Sequence, residues 1–174
     1  MKTLVYMLCI ISLQACKNKN SQMAEAISTN ATIEKSNAAV TLTMEGETFT
    51  MQQQDLNPQP PLNFDGDNIQ FNFYTNESIV SIDFNLTNTE IIKKGKASYT
   101  IPDANLESVK VDLSFFNKNR DASRINKRVV FKKGEITIEK CTKTELKMSF
   151  KGEGSGMTER NLSFPISGSI NAKF

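Results

Sequence analysis

Apolar side chains recur at every second position from Val40 onward, in one short run after another. This two-residue period is that of a β-strand with one face in a core and the other in water. Two runs are especially regular: residues 109–115, whose apolar face begins at Val109, and residues 162–174, whose apolar face begins at Leu162. The pattern predicts a chain built mainly from short, half-buried strands.

Turn-forming residues separate these runs. Glu45-Gly46-Glu47 predicts a hairpin turn, and Gly134 and the glycine-rich segment 152–156 predict two more. The segment 52–67 contains three prolines and is expected to be a loop or a sheet edge, because proline lacks the N–H donor that a central strand needs. Pro165 predicts an edge position or a bulge for the same reason.

About nine or ten strands and no long helix predict an all-β fold. Strict alternation favours antiparallel pairing, in a single β-sandwich or a calycin-like barrel. Five phenylalanines are predicted to lie in its core rather than on a ligand platform: Phe71, Phe73, Phe84, Phe115 and Phe116.

The first residues have the pattern of an export signal. Lys2 is followed by about ten mostly apolar residues, 4–13. At roughly 1.5 Å per residue, a helix of that length is too short for a hydrocarbon layer of about 30 Å. Residues 1–15 are therefore predicted to be a secretory signal peptide.

Leu13-Gln14-Ala15-Cys16 resembles the lipobox of bacterial lipoproteins, in which a small residue precedes a lipidated cysteine. The resemblance implies that signal peptidase cleaves before Cys16 and that the Cys16 sulfur carries a diacylglycerol thioether. Such a chain is held at the membrane by two or three acyl (palmitate-type) groups, and two or more anchor a protein stably. An ordinary secretory signal or an uncleaved anchor is the alternative.

Residues 16–39 are polar after the cysteine and are predicted to be a flexible linker with an r.m.s. span of roughly 25 Å. The folded domain is then expected to comprise residues 40–174. Surface-display signals of Bacteroidota lipoproteins place acidic residues soon after the lipidated cysteine, and residues 17–22 contain none. The resemblance to lipoproteins therefore implies a cell-envelope location, at the outer membrane and facing the periplasm.

The segment 133–174 resembles the C-terminal half of a group of uncharacterised Bacteroidota lipoproteins. The resemblance rests on Gly-Glu-Ile-Thr-Ile-Glu-Lys, Leu-Lys-Met-Ser-Phe and the terminal Ile-Ser-Gly-Ser-Ile-Asn-Ala-Lys-Phe. It implies a β-sandwich or calycin-like domain closed by a glycine-containing last strand. It carries over no functional residue.

Composition excludes several kinds of chemistry. The chain has no histidine, which removes Ser-His catalysis and the commonest metal ligand. Removing residues 1–15 leaves one more basic than acidic residue, so a dedicated nucleic-acid binder is not expected. No cofactor or metal is expected either, because Asp65-Gly66-Asp67-Asn68 lacks calcium-loop spacing and predicts a turn. Cys141 ends an apolar run and is interpreted as a half-buried, small apolar residue rather than a reactive thiol.

The strongest local charge is a basic segment between two predicted strands. Its candidate binding residues are Lys118, Arg120, Arg124, Lys127 and Arg128. They predict an anion-facing loop for phospholipid head groups, lipopolysaccharide or an acidic partner. The alternative is a solvated hairpin loop balanced by nearby acids.

These features predict a non-enzymatic interaction or envelope-accessory module. Its partners would be the membrane, through acylated Cys16, and an envelope protein, polymer or lipid. A carrier of a lipid or other apolar ligand in a calycin-like cavity is the alternative. An enzyme that uses two carboxylates also remains open, because such pairs leave no mark in a sequence.

Overall fold

Ten antiparallel strands dominate the computed structural model, which describes residues 38–56, 62–65, 67–103, 108–120 and 126–174. All of these belong to one unit that spans Ser36–Phe174. Outside the described residues lie the predicted signal peptide, Cys16, nearly all of the predicted linker and Arg124. The strands are β1 Val40–Met44, β2 Glu47–Met51, β3 Leu62–Asp65, β4 Asn68–Phe73, β5 Val80–Leu86, β6 Ala97–Ile101, β7 Val111–Asn117, β8 Arg128–Cys141, β9 Glu145–Gly156 and β10 Phe164–Lys173.

The strands form one sheet in the order β2-β1-β10-β9-β8-β7-β5-β4-β3, and β6 also pairs with β8. The sheet curls into a half-barrel. The predicted all-β, antiparallel fold is therefore confirmed. A 3₁₀ helix, Gln53–Asp55, and the four-residue helix α1, Ile91–Lys94, complete the elements. In the described part of the chain, no helix has the length and apolar character needed to cross a bilayer.

Alternate side chains of the strands fill the concave side of the sheet. Phe71, Phe73, Phe84 and Phe115 are each 0% exposed and belong to one continuous apolar cluster. The prediction that Phe116 shares this core is wrong. Phe116 follows Phe115 directly on β7, so its side chain points to the opposite face, where it is half-buried.

The turns predicted at Gly134 and at residues 152–156 are also wrong. Strand β8 runs through Gly134, and β9 runs to Gly156. Gly134 pairs with Gly152, and a Cβ added to Gly152 would lie 2.7 Å from Cζ of Phe131 and 2.0 Å from the Lys133 carbonyl oxygen. The two glycines therefore let an aromatic ring lie directly on a bent pair of strands.

Two predicted strand starts are displaced. Strand β7 begins at Val111 and β10 at Phe164, and the preceding Val109 and Leu162 are 74% and 67% exposed. Each lies before the first residue that pairs with a neighbouring strand, so no partner holds it to the core. The predicted edge position of Pro165 is confirmed. Pro165 pairs with β9 on one side only, because the pairing of β10 with β1 begins at Ile166.

Other turn predictions hold. Glu45 and Gly46 both have positive φ, 53° and 82°, as a two-residue hairpin turn between β1 and β2 requires. Asp65 pairs with Asn68 across the turn between β3 and β4. The three prolines of the segment 52–67 lie outside the described residues, and Leu62–Asp65 of that segment form β3, the last strand of the sheet order.

Candidate functional site

The candidate site lies on the outer face of β5, β7, β8 and β9, near the ends of these strands. Ser81 pairs with Phe116, and Phe116 pairs with Arg128. The Met157 N–H donates to the Arg128 carbonyl oxygen over 2.9 Å, which continues the row onto the end of β9. Side chains at directly opposed positions share a face. Phe116, Arg128 and Met157 are thus neighbours on the side of the sheet away from the core.

A second row continues this surface beyond the strands. Val80 and Asn117 form the last pair between β5 and β7, and the Lys118 N–H donates to the Ile79 carbonyl oxygen over 2.9 Å. Alternation places Ile79 and Lys118 on the outer face with Phe116. We call the resulting surface the outer patch: Ile79, Phe116, Lys118, Arg128 and Met157.

Hydrogen bonds hold the connections around the outer patch in place. The Lys118 ammonium donates to the Ser78 carbonyl oxygen, and the Lys127 ammonium donates to the Lys118 carbonyl oxygen, each over 2.9 Å. In the connection between β4 and β5, the Thr75 N–H donates to Ser78 Oγ and the Ser78 N–H donates to Thr75 Oγ1. The patch is therefore a preformed surface.

A polar row lies beside the outer patch, on the same face and two residues further along the strands. Asn72 pairs with Asp83, which pairs with Ser114, and Arg128 Nη2 donates to Ser114 Oγ over 3.1 Å. Asn72 Nδ2 donates to Asp83 Oδ1. Burial raises the pKa of Asp83, a rise that nearby Asp112 reinforces and that the Arg128 charge and the Asn72 hydrogen bond oppose. Asp83 in this row offsets part of the Arg128 charge, and Lys118 is not a member of the row.

Arg120 is not part of the outer patch. Its Nη2 lies 2.5 Å from Glu159 Oε2 and 3.3 Å from Glu45 Oε1, and its Cζ lies 5.5 Å from the centre of the Phe164 ring. The side chain is 12% exposed. Arg120 therefore ties the connection after β7 to those after β1 and β9, and its charge is already balanced by two carboxylates.

The structure thus brings Lys118, Lys127 and Arg128 together and assigns Arg120 to a structural ion pair. The sequence did not predict two apolar members of the patch, Ile79 and Met157, as site residues. The Phe115-Phe116 doublet was the available signal, because two adjacent aromatic residues on one strand must face opposite sides.

Surface cavities lie beside the site and elsewhere on the domain. One of ≈ 200 Å³ lies beside the outer patch, between β4, β5 and Lys118, and is lined mainly by polar residues such as Asn72, Tyr74 and Ser81. Larger ones of ≈ 650 Å³ and ≈ 320 Å³ lie between β2 and the β4–β5 connection, and between β6 and β7. The concave side of the sheet is filled by its own side chains.

Cys141 ends β8 inside the core, and burial raises the pKa of its thiol to about 11. The thiol is therefore protonated near neutral pH. The interpretation of Cys141 as a small apolar packing residue is confirmed, but its side chain is fully buried rather than half-buried. Within the described ranges, no group of three or more Cys, Asp or Glu residues is placed to hold a metal ion.

Comparison of the chain with protein-family models found no match, and searches of curated proteins and of solved structures found none either.

Proposed function

We propose that this chain is a lipoprotein, acylated on Cys16, whose β-domain serves as a non-enzymatic interaction module at a membrane of the cell envelope. The observation that carries the proposal is the outer patch, where three apolar side chains alternate with two cations on a rigid sheet. Interaction surfaces combine these residue types, whereas catalysis needs convergent acid, base or nucleophilic groups.

The filled core supports an interaction surface over a ligand cavity. A carrier of an apolar ligand needs interior volume, and in this domain the side chains of Phe71, Phe84 and Phe115 occupy that volume. Binding would therefore take place on the outside of the sheet.

The anchor is tested by metabolic labelling with a palmitate analogue, in cells that produce the wild-type chain or the Cys16→Ala variant. We expect label and membrane association in the wild type and loss of both in Cys16→Ala. A Cys141→Ala variant is the matched control, because Cys141 is buried and should take no label. Equal labelling of the wild type and Cys16→Ala would refute the anchor.

The interaction role is tested with the mature chain carrying Cys16→Ser, immobilised and exposed to a solubilised envelope fraction containing its proteins, polymers and lipids. We expect specific retention of one component by the wild-type surface and reduced retention by a Phe116→Ser variant. Retention that Phe116→Ser leaves unchanged would remove the outer patch as the interaction surface.

A further inference from the structure

We propose that the outer patch is a second membrane contact, which lays the domain on an anionic phospholipid bilayer. This inference deepens the proposed function and rests on it for the nearness of the membrane. It goes beyond the proposed function because it assigns one ligand to the patch: the phosphate head groups and the underlying acyl layer of a bilayer.

The apolar members of the patch are unusual for this protein. Among the described residues, four large apolar side chains are exposed: Ile79, Val109, Met157 and Leu162. Ile79 and Met157 belong to the patch, and Leu162 lies in the connection that follows Met157. Phe116 is half-buried and lies between Ile79 and Met157 in the strand order. Strands β5, β7, β8 and β9 are adjacent, so this surface is about 15 Å wide at about 4.8 Å per strand spacing.

Lys118 of the outer patch, and Lys127, whose ammonium group lies beside it on the Lys118 carbonyl oxygen, have charge to offer. The Lys118 and Lys127 ammonium groups donate to carbonyl oxygens, and neither forms an ion pair with a carboxylate within the described part of the chain. Arg128 is partly balanced by Asp83. Glu77, in the β4–β5 connection, is the nearest acid in sequence to Ile79. Phosphate groups would therefore be drawn chiefly to the two lysines.

The shape of the surface favours a bilayer over an acidic peptide. The core fills the concave side of the curled sheet, so the patch lies on the convex side. Peptide ligands usually occupy a groove or extend a sheet edge. A convex surface that presents apolar side chains beside Lys118 and Arg128 instead fits the interfacial layer of a membrane, where the stems of basic side chains lie on apolar groups and their charged ends reach phosphates. The predicted linker, with its span of roughly 25 Å, keeps this surface within reach.

The test uses the mature chain with Cys16→Ser, so that no acyl group contributes, and co-sedimentation with vesicles. We expect binding to vesicles of equimolar phosphatidylcholine and phosphatidylglycerol, and little binding to vesicles of phosphatidylcholine alone. Added salt should weaken the binding, because screening shortens the reach of the lysine charges. Equal binding to both vesicle types, or no binding to either, would overturn the proposal.

Two variants, one that removes cations and one that removes apolar side chains, locate the contact, and each is compared with a control variant. Lys118→Gln with Lys127→Gln should weaken partitioning about 10–30-fold, at about 1 kcal/mol for each cation near an anionic surface. The control variant, Lys96→Gln with Lys143→Gln, removes two exposed lysines outside the patch and should change vesicle partitioning little. Ile79→Ser with Met157→Ser should also weaken vesicle partitioning. Its control, Val109→Ser, changes a more exposed apolar side chain outside the patch and should not weaken partitioning. Matching circular dichroism and melting temperatures would establish that each variant is folded.

The possible failures can be told apart. Vesicle binding that persists in both patch variants would refute the patch and leave the Cys16 anchor untouched. Absence of palmitate label from the wild-type chain, together with intact vesicle binding by the Cys16→Ser chain, would refute the anchor alone. Lysine-dependent capture of an acidic protein, without vesicle binding, would overturn the membrane assignment in favour of a protein partner.

Discussion

The rings of Phe71 and Phe174 lie with their centroids 5.9 Å apart and their planes at 37°, although four strands separate β4 from β10 in the sheet. Contact between residues so far apart in the strand order requires the sheet to fold back over its own concave face. The pair therefore fastens β4, near one edge of the sheet, to the end of β10 across the concave face.

Replacing Phe174 with alanine should lower the free energy of unfolding by about 1–3 kcal/mol, because the ring is only partly buried and loses both packing and an aromatic partner. Urea unfolding measures the loss. In a double-mutant cycle with Phe71→Leu, the two losses should be non-additive. Additive losses would show that the rings do not stabilise each other.

The fold was largely predictable because one face of nearly every strand is buried. That burial imposes the two-residue period, as in β5, where Val80, Ile82, Phe84 and Leu86 all face the core. The continuity of β8 and β9 was not predictable, because glycine favours turns locally. The pairing of Gly134 with Gly152 under the Phe131 ring depends on a long-range register.

The candidate site was predictable only in part. Lys118, Lys127 and Arg128 stand out as a basic segment. Their neighbours Ile79 and Met157 come from connections about forty residues before Lys118 and about thirty after Arg128, and only the strand order β5-β7-β8-β9 brings them together. Arg120 could not be separated from the other cations, because its partners Glu45 and Glu159 lie 75 and 39 residues away in the sequence.

Gly152→Ala should be among the most destabilising single-methyl additions to this domain. The new Cβ would meet the Lys133 carbonyl oxygen and the Phe131 ring at distances that no real contact tolerates. We expect a loss of about 3 kcal/mol or more, the upper end for overpacking. Gly46→Ala is the control, since Gly46 has φ +82° and open space around it and should cost about 1–2 kcal/mol from backbone strain alone. Similar losses in chemical unfolding would contradict this account.

Arg120→Ala should destabilise the domain by about 1.5–3 kcal/mol, the range for a hydrogen bond to a charged group, because Glu45 and Glu159 are left facing each other beside Phe164. Lys140→Ala is the matched control. Its ion pair with Glu145 has the same 2.5 Å separation, but the Lys140 side chain is 53% exposed, so the loss should be smaller. Thermal unfolding of both variants makes the comparison, and a greater loss for Lys140→Ala would show that burial does not set the strength of the Arg120 pair.

Asp83→Asn should change how stability depends on pH. The folded protein binds the Asp83 proton more tightly than the unfolded chain, whose aspartate has a pKa near 3.8, because burial raises the folded pKa. The contribution of this proton to the free energy of unfolding is therefore complete below pH 3.8 and is lost as the pH rises through the folded pKa. Asparagine can still accept the Asn72 hydrogen bond and does not titrate, so the variant should lack this decrease. Urea unfolding of both proteins from acidic to neutral pH tests the difference, and parallel curves across that window would show that Asp83 titrates alike in the folded and unfolded chains.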